Sequence, residues 1–266
     1  MATPSEKSSA AGQPDLSDLF ARYFQGQMSL QEAGFAVAQT GDVVPFEAAP
    51  AQPADPKLAW EEGLAVLPFY SFKGKAKSFK VPPDWSVLVA SQEPMVAVPF
   101  CFGNFPQMVR SLHPLLHPDK LHQTKPSNAP ASASAEILRW AGKVAQDQHF
   151  PERLMAAAAL RLARDFDRVE SLLGKDSSVP DDWHPAWHNE RAALAWHRGQ
   201  AKEALTSWQG QAESVPVLFN RGMASLFTNQ RADARAFLQK AVTQIDENSA
   251  WHHLGRLYLA LAEMKA

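Results

Sequence analysis

Cys101 is the chain's only cysteine, and it stands between Phe100 and Phe102. A cysteine attacks as its thiolate and needs a neighbouring base or positive charge to reach that form. His113 is the nearest histidine in sequence that could serve. A thiol flanked by phenylalanines more commonly packs as a small hydrophobe, so burial is the expectation here. His113, His117 and His122 recur at spacings a zinc ion could use, but Pro114 and Pro118 break the helix that would align the first two, and no cysteine joins them. Loop histidines are expected. His252 and His253 are adjacent, so they point about 100° apart on a helix and do not share a metal. Lys73, Lys75, Lys77 and Lys80 alternate with Tyr70, Phe72 and Phe79. Rings that stack on bases, beside lysines that meet phosphates, are the chemistry of single-stranded nucleic-acid binding. Four lysines on a chain of net charge −2 make only a small field, which favours a solvated loop. Phe102-Gly103-Asn104 leads from an apolar run into a helix expected over Gln107–Leu116. Such a junction can hold an anion on its free N–H groups, although a packing turn is the simpler reading. The first half shows no paired carboxylates, no glycine-rich phosphate loop and no metal set. No catalytic residue, metal or cofactor is therefore expected, while Cys101, Asn104 and His113 stay without an assigned role.

The elements that would position these residues differ between the two halves. With 45% hydrophobic residues and eight tryptophans, 266 residues can bury one large core or two small ones. The near-neutral charge gives no reason to expect nucleic acid or an anionic membrane as partner. A lone cysteine excludes an internal disulfide and fits a reducing compartment. No apolar run reaches the roughly 18–20 residues of a membrane span, and the first residues lack the apolar stretch of a secretory signal. A cytoplasmic protein is expected.

Residues 1–14 are small and polar and read as a disordered tail. Residues 15–122 read as an N-terminal helical and irregular domain of no recognised type. Its helices are expected over Leu16–Gln25, from the capping box at Ser29–Glu32 through Ala38, and from Lys57 to about Val66 with Asp55 as N-cap. A proline-rich linker, Ala48–Pro56, precedes the last of these. Trp85–Ala90 and Met95–Phe102 are short runs with β-branched residues, parted by a turn at Ser91–Pro94; they are read as two short strands or one small β-hairpin, with Pro99 restricting the second to an edge. Residues 123–134 (QTKPSNAPASAS) form the second linker and the better domain boundary.

From Ala135 to Ala266 the pattern is helical, about seven antiparallel helices in a row. Ala135–Gln146 carries Ile137, Trp140, Ala141 and Val144 on one stripe. Pro151–Ala163 is alanine-rich with proline in its first turn, and Val169–Leu173 stops at Gly174. Trp251, Leu254, Gly255 and Tyr258 fall at i, i+3, i+4 and i+7, on one face of a helix whose glycine invites another helix to come close. Gly222 lies 33 residues earlier, and Ala234, Leu238 and Ala241 between them have the small–large–small spacing of a partner helix. Asn229 stands at the turn. A more divergent unit precedes, with Ala192 in the glycine's place, Gly199 at the turn and Ala204 and Trp208 on the second helix. These residues resemble the tetratricopeptide-repeat family, from the W-x2-L-G-x2-Y spacing onward. The fold class expected is mainly α, with antiparallel helical hairpins stacked as a short TPR-like α-solenoid over residues 135–266, and an N-terminal mixed or irregular region with room for a small β-hairpin.

The resemblance implies a protein-binding groove lined by the first helix of each repeat. Carried onto this sequence, it places Asn189, Ala193 and Trp196, then Phe219, Met223 and Leu226, then His252, Arg256 and Leu259 in that groove. The stripe lacks the lysines of family members that clamp a C-terminal carboxylate, so an apolar helix or extended segment is the expected ligand. The chain's own Leu67–Gln107 is an internal alternative, since an exposed apolar groove on so short a stack is a liability. The functional expectation is a non-enzymatic interaction scaffold or adaptor, as a monomer or homodimer, binding a protein partner or its own N-terminal region. The alternative is a small-ligand or enzymatic module in residues 43–122 with the helices as scaffold or dimer interface.

Overall fold

Three turns in the C-terminal half share one geometry, and they organise the helices around them. Arg164, Gly199 and Asn229 have φ of 61°, 81° and 64°. At each, the next residue's N–H bonds five residues back, Asp165 to Leu160, Gln200 to Ala195 and Gln230 to Ser225, at 2.9, 2.9 and 2.7 Å. The left-handed residue itself bonds three back, so each is a Schellman turn that satisfies the last carbonyls of one helix and reverses the chain into the next. Gly199 takes this conformation freely, and Asn229 is among the residues that tolerate it, as the sequence implies.

The computed structural model describes residues 55–70, 79–92, 97–106, 133–146, 150–175 and 178–263. All of them fall within one unit, Ala48–Lys265. Among the described residues there are ten α-helices and no strand. Helix α1 is Pro56–Leu64 and α2 is Trp85–Ala90; α3 is Ala135–Gln146. Three hairpins follow: α4 (Phe150–Leu162) with α5 (Phe166–Leu173), α6 (His184–His197) with α7 (Ala201–Gln209), and α8 (Val215–Phe227) with α9 (Arg231–Val242). Helix α10, Ala250–Glu263, packs on both α8 and α9. Residues 135–263 thus hold eight α-helices where about seven are expected. The expected helices before residue 40 and at Gln107–Leu116, most of both linkers and the tail lie outside the described residues.

Local sequence explains most of these elements. Asp55 caps α1 by accepting the Lys57 N–H at 2.9 Å, with proline in the first turn. Helix α5 ends at Gly174, φ 63°. The β-hairpin expectation fails at Trp85–Ala90, which is helical. Trp85, Leu88 and Val89 are buried at i, i+3 and i+4 while Val87 is 61% exposed, so the apolar period is that of a helix despite the β-branched residues. The second run is irregular over Val98–Phe102, bending at Phe100 and Cys101 and turning at Phe102, and helix side chains rather than a neighbouring strand take up its main-chain groups.

Gly222 and Gly255 sit where helices touch. A Cβ on Gly222 would meet Leu238 Cγ at 2.5 Å and the Leu238 backbone nitrogen at 3.0 Å, which is the contact that lets α9 lie against α8. A Cβ on Gly255 would meet Val242 Cγ2 at 2.7 Å. One core runs through the described residues on both sides of 123–134, from Trp60 and Phe100 to Leu160, Trp208 and Tyr258.

Gly222→Ala is therefore expected to destabilise the protein by about 1–3 kcal/mol through overpacking. Gly142→Ala, at an exposed position of α3 with nothing within 4 Å of the new Cβ, should instead stabilise by about 0.5–1 kcal/mol. Urea unfolding of the two variants reads the opposite signs directly.

Candidate functional site

The first helices of the hairpins, α4, α6 and α8, together with α10, converge on one non-helical stretch of chain, Ala97–Asn104. Trp196 Nε1 of α6 donates to the Ala97 carbonyl at 3.1 Å. The Val98 N–H donates to Tyr258 Oη of α10 at 3.0 Å. Asn220 of α8 brackets Phe100: its Oδ1 accepts the Phe100 N–H at 2.6 Å and its Nδ2 donates to the Phe100 carbonyl at 3.2 Å. Asn189 Nδ2 of α6 donates to the same carbonyl at 2.9 Å. The Phe102 N–H donates to Glu190 Oε1 at 2.6 Å, and Arg161 Nη2 of α4 donates to the Phe102 carbonyl at 2.6 Å. Val98, Phe100 and Phe102 each present main-chain groups to the helices. The helices supply the partners that an adjacent strand would otherwise provide.

The segment's side chains are buried as thoroughly as its backbone. Phe100 stacks on Trp251, centroids 4.3 Å apart, and meets Phe69 and Phe219 edge-on. Phe102 stacks on Tyr70 at 5.9 Å. Burying each such ring contributes about 2–3 kcal/mol. Gly103 adopts φ 71°, its N–H donates to the Gly63 carbonyl at 3.0 Å, and a Cβ there would strike Ala158 Cβ at 2.8 Å. Only glycine fits this crossing between α1 and α4.

A buried charged group lies at the centre. Arg161 and Glu190 pair at 3.1 Å with side chains 0% and 1% exposed. Arg161 Nη1 also donates to Asn104 Oδ1 at 2.6 Å and lies 3.5 Å from His197 Nδ1. Burial pushes the Glu190 carboxyl up, against the opposing pull of Arg161 and the Phe102 N–H. Burial, then the charges of Arg161 and Arg164, hold His197 well below the usual imidazole value, so it is neutral and can accept from Arg161. Asn189 Oδ1 accepts from both Trp208 Nε1 and Asn220 Nδ2, joining the two asparagines into one network.

Of the residues expected to line a groove, Asn189, Trp196 and Phe219 touch the segment as described. Met223, Leu226 and Ala193 are buried. His252 is buried with Nδ1 3.2 Å from the Ile245 carbonyl, which ties the chain leading into α10; Arg256 and Leu259 are half-buried. Cys101 is fully buried, with Sγ 3.4 Å from the Pro99 carbonyl, and burial pushes its thiol well up, so it is held as the thiol. Asn104 has both ends of its amide engaged, on Pro99 and Arg161. His113, His117, His122 and Lys73, Lys75 and Lys77 lie outside the described residues; Lys80 is exposed. Among the described residues no three metal-ligating side chains gather, and no helix is long and apolar enough to cross a membrane.

Sequence reasoning missed Arg161, Glu190, Asn220 and Tyr258 as holders of the segment. The available signal was charge in the wrong place: Arg161 continues the apolar run Leu154–Leu160, and Glu190 shares a helix face with Trp187 and Leu194.

Arg161→Met should cost about 3–5 kcal/mol, because Glu190 is left buried without its cation. Asn220→Ala, which strands neutral groups at Phe100, should cost about 1–3 kcal/mol; denaturant titration ranks the two. Glu62 offers a test by pH. Its backbone carbonyl accepts from Trp251 Nε1 at 2.9 Å, and burial raises its carboxyl from 4.5 to about 7. Between those values the unfolded chain has released its proton while the folded chain retains it, so stability falls as pH rises from 4.5 to 7. The carboxyl still reaches solvent, which screens its charge. Glu62→Gln should therefore gain about 1–2 kcal/mol over the wild type at pH 8 and nothing at pH 4, read by urea unfolding at both.

Comparison with protein-family models, with curated proteins and with solved structures finds no match to this chain.

Proposed function

We propose that this protein is a non-enzymatic interaction scaffold whose helical hairpins form a seat for an extended segment, and that its own Ala97–Pro106 occupies the seat. The observation that carries the reading is the way Phe100 is held. Two asparagines from successive hairpins grip its main-chain N–H and carbonyl, and aromatic rings close over its side chain. This is how a groove recognises an extended ligand: main-chain bonds supply affinity and side-chain pockets supply selection. The repeated Schellman turns and the glycine contact of Gly222 with Leu238 support a resemblance to tetratricopeptide repeats, and with it a protein as the external ligand. Asn189, Trp196 and Phe219 would then serve a partner's segment as they serve the chain's own. An enzymatic reading of residues 43–122 drew on Cys101, Asn104 and His113. The first two are engaged in packing the segment, which weighs toward the scaffold, and His113 lies outside the described residues.

The test compares full-length wild type with full-length Phe100→Asp as baits in native lysate, read by mass spectrometry. The charged residue should unseat the segment, keep the helical circular-dichroism signal and lower the thermal transition. The variant is expected to retain a protein that the wild type does not, and to lose it when Asn189→Ala is added. Loss of the helical signal in Phe100→Asp would overturn the reading, because the segment would then be indispensable to the helices and not a seated ligand.

A further inference from the structure

The N-terminal end of α6 carries two histidines that the seat does not use. His184 and His188 stand at i and i+4, so their rings lie on one face of the helix. The ring centroids are 6.1 Å apart and the ring planes are inclined by 32°. Both side chains are half-buried and reachable from solvent, whereas the next two residues, Asn189 and Glu190, turn into the core. With imidazole nitrogens about 2.0–2.1 Å from a bound zinc, two rings on one ion have centroids roughly 5 Å apart, so each ring need move by only about half an ångström. The Asp181 carboxylate comes within 3.9 Å of His184 Nδ1. A carboxylate behind a ligating imidazole orients the ring and raises its basicity, which turns Nε2 to the ion. His188 stands edge-on to Trp187, centroids 4.9 Å apart, and Trp187 is held by its Nε1 bond to the Leu173 carbonyl at 2.8 Å. The partial positive charge of a helix N-terminus opposes a cation. Asp181 and Asp182, in the 3-10 turn Asp181–Trp183 just before α6, offset it.

We propose that His184 and His188 chelate one divalent transition-metal ion of the zinc or copper class, with the two imidazoles as protein ligands and water completing the coordination. Imidazole suits these ions, whereas magnesium takes oxygen ligands and is a poor fit. With two protein ligands, short of the four that close a structural zinc site, the pair holds its ion exchangeably and answers to ion supply. The effect falls on α6. This helix begins without a side-chain cap, and an ion bridging residues 184 and 188 ties its first turn to the second. Asn189 and Glu190, which hold Phe100 and Phe102, follow directly. Because the ion binds only where the two rings share a helix face, it stabilises the folded chain by mass action.

The experiment titrates the full-length protein, first stripped with a chelator, with Zn2+ alone in a calorimeter, beside full-length His184→Ala and His188→Ala. Losing one imidazole turns a chelate into a single contact and weakens it by about a hundredfold or more. Each variant should therefore bind one zinc equivalent fewer than the wild type, and Mg2+ should give no such difference. Without metal both variants should keep the wild-type Tm; if either does not, His184→Gln and His188→Gln, which keep a polar side chain of similar size, carry the comparison. Cu2+ supplies a local reading, since it binds most tightly in the divalent series and is paramagnetic. At substoichiometric amounts it should broaden the Trp187 indole N–H resonance, identified by its loss in Trp187→Phe, and should leave that resonance sharp in His188→Ala. Equal zinc uptake by wild type and variants overturns the site, and so does a Trp187 resonance that copper leaves sharp in the wild type.

Discussion

Five main-chain groups between Val98 and Phe102 take their hydrogen bonds from helix side chains, and the arrangement of α6, α8 and α10 follows from that demand. A buried non-helical chain with no neighbouring strand would leave donors and acceptors unpaired at about 1–3 kcal/mol each. Asn189, Glu190, Asn220, Tyr258 and Arg161 answer these groups between them, and each must sit in the register its target sets. The Schellman turns and the Gly222 contact set the two helices of a hairpin against each other, and the segment meets the inward faces of the first helices.

Arg161 and Glu190 play a different part from the asparagines. A buried ion pair is a poor source of stability, since the desolvation of both charges offsets most of their attraction. The Glu190 carboxyl, pushed up by burial even beside Arg161, reflects that cost. What the pair supplies is uniqueness. Arg161 reaches the Phe102 carbonyl, Asn104, Glu190 and His197 from one planar group, so a slip of the segment by one residue would break its bonds to Phe102 and Asn104 together. Among the described residues, Arg161 Nε and His197 Nε2 are buried without a hydrogen-bond partner.

How much of this was legible in the sequence depends on whether a feature is local. The caps and stops at Asp55, Gly174, Gly199 and Asn229 were readable, because each is set by the conformational preference of one residue. The helical period around Gly222 and Gly255 was readable as well. Trp85–Ala90 misled because β-branched composition was weighed above the i, i+3, i+4 burial of Trp85, Leu88 and Val89. Asn189 entered the candidate site through family spacing. Asn220 did not, since nothing nearby distinguishes an asparagine that reaches Phe100, 120 residues away, from one at a helix surface. Cys101 and Asn104 drew attention as unexplained polarity within an apolar run, and their explanation is contact with residues far along the chain.

The sequence separation of the segment and its seat has a consequence during synthesis. Pro106 leaves the ribosome well before the helices that will receive it, and α10 ends at Glu263, 157 residues later. At about 5–20 residues per second, that is a delay of about 8–30 s. Through that interval Phe100, Phe102 and Phe105 have no groove to enter, whereas each hairpin behind them closes from local contacts as soon as it emerges. The nascent chain is thus adhesive in a segment that ends up buried, and the last turns of α10 are what release it from that exposure.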